Sequence, residues 1–121
     1  MALQSDLMGS GMPGALARLL GNTPAVLTGV GTSQAGATLI SSSMVDLVTA
    51  GGATAFVFSA NTSLTRLFFV CNTTATTALI FPPSGCAINN GSNDASFSVA
   101  QNKTVLFWRY STTKWRALLT A

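Results

Sequence analysis

The sequence predicts an all-β fold: a single small antiparallel β-sandwich or barrel, with a jelly roll as one form of it, preceded by an N-terminal arm containing a short helix. Three observations predict this. From residue 25 onward, ten short runs rich in β-branched and aromatic residues alternate with clusters of Gly, Asn, Ser and Thr. No helix-period segment separates those runs, and parallel neighbours would need crossover segments, so antiparallel pairing is expected. At 121 residues the chain makes one domain that buries roughly two-thirds of its unfolded surface. It divides into an arm, 1–24, and a β-domain, 25–121.

The arm opens with a flexible GSGMPG stretch. Residues 13–21 then read as one or two helical turns, with proline near the start and glycine just past the end. Leu16, Leu19 and Leu20 fall on one side of it, and so short a helix must dock on its own domain or on a neighbouring subunit. Strands are expected at 25–28, 37–40, 44–48, 55–58, 64–71, 77–81, 87–89, 95–99, 104–110 and 115–119.

In residues 66–71 and 78–81 both alternating sets contain apolar side chains, unlike a strand with one wet face. Such strands lie between two layers, or neighbouring chains cover their outer faces. For the last two strands, a loop at 111–114 sets Tyr110 against Trp115, Trp108 against Ala117 and Leu106 against Leu119, all on the core side. The opposite side then carries Val105, Phe107 and Arg109 across from Leu118 and Arg116. Two opposed arginines repel, so that end is expected to face solvent or an acidic partner.

The stretch LIFPPSGCAIN, 79–89, is a strand that strikes two prolines. Proline donates nothing to a ladder, so Pro82 and Pro83 must end the strand or lie on a sheet edge. The turn through Ser84 and Gly85 is expected to fold Cys86 and Ile88 back onto the core.

Only 7% of residues are charged, against about 25% in an average soluble protein. A surface so poor in charge points to burial against other protein. The net charge of +3 is dispersed, with no basic run, which argues against nucleic acid. No run approaches the about 18 apolar residues of a membrane helix. Cys71 and Cys86 are too few for a disulfide framework and read as buried free thiols, or as a single bridge if their α-carbons fall within roughly 7 Å.

The chain contains no histidine and no glutamate, and its aspartates are isolated, so acid–base and nucleophilic catalysis lack their partners. No enzyme activity and no cofactor are expected. Two cysteines without histidine cannot make the usual zinc set. The stretch 89–94, with Asp94 at its end, reads as a tight turn in preference to a calcium loop. Gly29-Val-Gly31 lacks the helix and the lysine of a nucleotide loop. The N-x-S/T triplets at Asn61, Asn72, Asn90 and Asn102 are expected from chance in a Ser/Thr-rich chain. Trp108 and Trp115 read as core and not as a stacking platform.

Five segments occur in an order that resembles small β-structured virion proteins of tailed bacteriophages. They are Thr28-Gly-Val-Gly-Thr-Ser-Gln-Ala, then Val45-Asp-Leu-Val-Thr-Ala, then Leu79-Ile-Phe-Pro-Pro-Ser-Gly with Ile88-Asn, then Ala95-Ser-Phe-Ser-Val-Ala-Gln-Asn-Lys-Thr, and finally Phe107-Trp-Arg-Tyr before Lys114-Trp-Arg. The resemblance spans residues 25–121 and is weakest over the arm. It implies a virion structural protein made in a host cytoplasm, with a capsid decoration or cement protein as the leading expectation and a tail, fibre or baseplate component as the alternative. It transfers no catalytic residues. The expected partners are the major capsid protein and sister copies in a homotrimer, with neither nucleic acid nor membrane. Phe68, Val70 and Leu79 are expected to face sister subunits. The arm, with Leu16, Leu19 and Leu20, together with Arg66, Arg109 and Arg116, is expected to contact the shell.

Overall fold

The computed structural model describes residues 25–64 and 66–119, which form ten strands in two sheets and contain no helix. The expected helix, with Leu16, Leu19 and Leu20, lies outside the described residues. The strands are β1 (Ala25–Thr28), β2 (Thr38–Ile40), β3 (Met44–Val48), β4 (Ala55–Phe58), β5 (Leu67–Asn72), β6 (Ala78–Phe81), β7 (Ala87–Ile88), β8 (Phe97–Val99), β9 (Lys103–Arg109) and β10 (Lys114–Leu119). The all-β class and the positions of the strands match the sequence pattern.

The pairing corrects the antiparallel sandwich or barrel. The six-stranded sheet runs β1-β3-β5-β9-β10-β7 and the four-stranded sheet β2-β4-β6-β8. β1, β3 and β5 are parallel neighbours in the first sheet, and β2, β4 and β6 in the second. The chain therefore winds through three coils, each laying one strand in each sheet, which is the pattern of a β-solenoid. The crossover that parallel pairing requires is the strand in the opposite sheet, and no helix is needed. β8 and β9 then run a fourth coil in reverse, antiparallel to β6 and β5 respectively. β10 pairs antiparallel with β9 and parallel with β7, which completes the larger sheet.

Between the sheets lies one core. Val45 and Leu47 of β3, Phe68 and Val70 of β5, and Val105 and Phe107 of β9 point into it from one side. Ile40, Phe56, Phe58, Ile80 and Val99 point in from the other. The Phe58 and Trp115 rings stack at 4.4 Å, and Phe68 and Phe107 pack against Phe58 at 4.9 and 5.1 Å. Such offset and tilted aromatic pairs add about 0.5–1.5 kcal/mol each beyond the area that they bury.

Coils meet closely at their corners. A Cβ on Gly29 would stand 2.4 Å from the Ala53 carbonyl oxygen, and the Gly29 N–H donates to Val48 O at 2.9 Å. Only a residue without a side chain lets the first coil turn that close to the second. At the corner after β5, the fully buried Asn72 donates through Nδ2 to Thr76 O and Val99 O at 3.0 and 2.9 Å. Its Oδ1 accepts from the Thr74 N–H and hydroxyl at 3.0 and 2.6 Å.

The proline corner ends β6 as the sequence suggests, and Cys86 and Ile88 join the core. It does not guard an edge, because β6 lies between β4 and β8. Pro82 and Pro83 are themselves buried. Here the chain leaves the smaller sheet for the far edge of the larger one. Asp94 Oδ1 clamps the turn, accepting from the Gly85 N–H at 2.7 Å and from Gln34 Nε2 at 3.1 Å, while Gln34 Nε2 also donates to Pro82 O at 2.7 Å.

The β9–β10 hairpin departs from the expected register by one residue. Trp115 pairs with Arg109, Arg116 with Trp108, Ala117 with Phe107 and Leu118 with Leu106. A slip of one exchanges the faces. Trp115 is buried as expected, but Trp108 and Leu106 stand on the outer face, and Val105 and Phe107 are inside.

Candidate functional site: the outer face of the six-stranded sheet

Alternation along β3, β5, β9 and β10 sends every second side chain away from the core. The register lines these up in rows. Met44 pairs with Phe69, Phe69 with Leu106 and Leu106 with Leu118, so four apolar side chains cross four strands in one line. Phe69 is 37% and Leu118 62% exposed. Beside this line, Leu67, Trp108 and Arg116 form a second row. On its other side run Val26, Asp46, Cys71 and Thr104. A shallow groove of about 360 Å³ follows Met44, Asp46, Phe69, Cys71 and Thr104.

Polar groups on this face are few. Asp46 Oδ1 lies 3.6 Å from Cys71 Sγ and 3.4 Å from Thr73 Oγ1. Burial, and then the neighbouring Asp46 carboxylate, push the Cys71 thiol above its ordinary range, so at neutral pH it is a protonated, weak nucleophile. Cys71 and Cys86 are both free, and Cys86 is buried. No group of three or more His, Cys, Asp or Glu able to hold a metal occurs among the described residues. No helix long and apolar enough to cross a membrane occurs among the described residues.

The residues expected to meet partners are scattered. Phe68 and Val70, expected on an outer face, are fully buried between the sheets. The pleat puts their neighbours Leu67, Phe69 and Cys71 outside. Leu79 is half-buried in the smaller sheet, away from this face. Arg66 donates to Ser41 O at 2.8 Å and Ser43 Oγ at 3.3 Å, and its guanidinium carbon sits 4.7 Å from the Phe68 ring centroid. Arg109 donates to the carbonyls of Ala60, Thr62 and Thr112 at 2.8, 3.0 and 2.6 Å. Both arginines cover the aromatic end of the core and tie loops together. Of the three, only Arg116 points outward from the face of the larger sheet; it and Arg66 are both exposed. Arg109 and Arg116 thus lie on opposite faces, and the expected repulsion between them does not arise.

A larger open groove of about 460 Å³ lies on the smaller sheet, lined in part by Gln34, Leu39, Val57 and Pro83. It gathers no charged group, and its hydroxyls are those of Ser59 and Ser84. The sequence signal for the apolar row was the doubly apolar run in β5. What it lacked was the register, which joins Phe69 to residues 25 positions upstream and 37 and 49 downstream. Compared with protein-family models, curated proteins and solved structures, the chain shows no match.

Proposed function

We propose that this chain is a bacteriophage virion structural protein, a capsid decoration or cement protein that binds the outside of the head and stabilises contacts between major capsid protein subunits. The observation that carries this reading is the partly exposed apolar row on a charge-poor two-sheet scaffold. Side chains such as these on a sheet face are suited to packing against protein. The resemblance of the five segments supplies the setting. Nothing gathered on the described surface resembles a catalytic constellation, and the proposed activity is adhesion without a cofactor.

The mechanism is mass action combined with multivalency. A clamp that binds only the assembled shell stabilises it by its own binding free energy. Copies joined in a homotrimer hold on through several modest contacts at once. The arm 1–24, with Leu16, Leu19 and Leu20, is the proposed contact to the shell. Arg66 and Arg109 are already committed to carbonyl groups within the chain.

Band quantification on purified particles tests the reading. A decoration protein is expected in numbers comparable with the major capsid protein, and purified chain should rebind expanded heads that lack it. A few copies per particle, with no rebinding, would instead support the appendage reading. One feature favours that second reading: β1 and β2 are edge strands at the same end of the coil stack, and an open coil end can be continued by further β-structure in a shaft.

A further inference from the structure

We propose that the outer face of the six-stranded sheet is a two-fold contact between copies of this chain, in which Asp46 of one copy meets Arg116 of the other across the apolar row. This goes beyond the function proposed above and applies at either place in a virion. A homotrimer would then be closed through other surfaces, since a two-fold contact joins copies in pairs.

The geometry of the face carries the inference. Asp46 lies two residues beyond Met44 on β3, and Arg116 two residues before Leu118 on β10. β3 and β10 run in the same direction, because β3 is parallel to β5 while β5 and β10 are each antiparallel to β9. The two charges therefore flank the row on opposite sides and at opposite ends. The line joining them spans three strand spacings and four residues of strand, roughly 20 Å. Its midpoint falls between the paired Phe69 and Leu106.

A two-fold axis passing above that midpoint, parallel to the sheet and perpendicular to the line, exchanges the two charged sites. Laid face to face about this axis, two copies form the Asp46–Arg116 pair twice, with Phe69 and Leu106 of both at the centre. The sheets then cross at about 90°, one of the two ways in which sheets pack face to face. Both charges are available for this. Arg116 has no hydrogen-bonding or ionic partner among the described residues, and the contacts of Asp46 with Cys71 and Thr73 both use Oδ1.

Sedimentation equilibrium of the full chain at low ionic strength tests the proposal. The wild type is expected to associate reversibly into even-numbered species. Asp46→Arg and Arg116→Asp should each weaken association by about 10-fold or more, because like charges then face each other. An equimolar mixture of the two variants should recover it, since every hybrid contact again sets one positive against one negative charge. If either reversal fails to fold by circular dichroism, Asp46→Asn and Arg116→Gln provide the same test, with weaker association and a reduced salt dependence. A mixture that associates no better than the separate variants overturns the proposal. So does a wild type that sediments only as monomer or only as trimer, or an association that charge reversal and neutralisation leave unchanged.

Discussion

Arg109 and Trp115 are direct partners across the β9–β10 hairpin, with the Arg109 guanidinium carbon 6.0 Å from the Trp115 ring centroid. The same guanidinium gathers carbonyls from the loop after β4 and from the hairpin turn. Its removal would leave several acceptors and one edge of the aromatic core uncovered. Arg109→Met is expected to lower the unfolding free energy by about 2–4 kcal/mol, from lost charge-assisted bonds and poorly satisfied carbonyls. Arg109→Lys should recover only part, because an ammonium lacks the planar fork. Urea denaturation of the three proteins measures this; equal midpoints for wild type and Arg109→Met would refute the clamp.

Asn72 offers a pH test. Its Nδ2 faces two carbonyl oxygens, so a carboxylate in its place would set negative charge against both. In Asn72→Asp the new acid should have its folded pKa raised above the unfolded value of about 3.9. The folded state then binds more protons than the unfolded state, and stability falls as pH rises above about 4. Asn72→Ala should be destabilised to a similar degree at every pH in that range. Thermal unfolding from pH 3.5 to 7 distinguishes them, and parallel profiles for the two variants would count against the assigned contacts.

Gly29 and Gly51 make a matched pair. A methyl group on Gly29 meets the Ala53 backbone, whereas one on Gly51 meets nothing within 4 Å. Gly29→Ala should cost about 2–3 kcal/mol by forcing the first two coils apart. Gly51→Ala should change stability by about 0.5 kcal/mol or less. The comparison is again by denaturation midpoint, and the coil corner is misdescribed if the two variants behave alike.

Cys71 should react slowly with iodoacetamide at pH 8, more slowly than a small free thiol, because burial and Asp46 both disfavour its thiolate. Asp46→Asn removes the carboxylate charge, so the thiol pKa should fall and alkylation at fixed pH should accelerate by a few-fold. Burial is the larger cause, and reactivity should stay below that of the free thiol. An unchanged rate in Asp46→Asn would mean that the carboxylate does not act on the thiol.

Strand positions were legible in the sequence because each strand is local: a few β-branched and aromatic residues between turn formers suffice. So were the end of β6 at Pro82 and the return of Cys86 and Ile88 to the core. The solenoid winding was not legible, because it shows in sequence only through a constant repeat. Here Ala25 pairs with Val45, 20 residues on, and Val45 with Val70, 25 on. In the other sheet the steps are 18, from Thr38 to Phe56, and 24, from Phe56 to Ile80.

By itself the sequence determined an all-β, charge-poor chain whose strands carry apolar residues on both sides, for these follow from composition and local pattern. Which side faces in was decided by tertiary structure, because strand faces alternate with a period of two and a one-residue shift inverts them. Phe68 thereby went to the core and Phe69 to the surface. Trp108 and Trp115, expected together, parted to opposite faces. Arg109 turned inward to close the core, while Arg116 was left outside with Asp46 beyond the apolar row, an arrangement that exists only once four strands distant in sequence are set side by side.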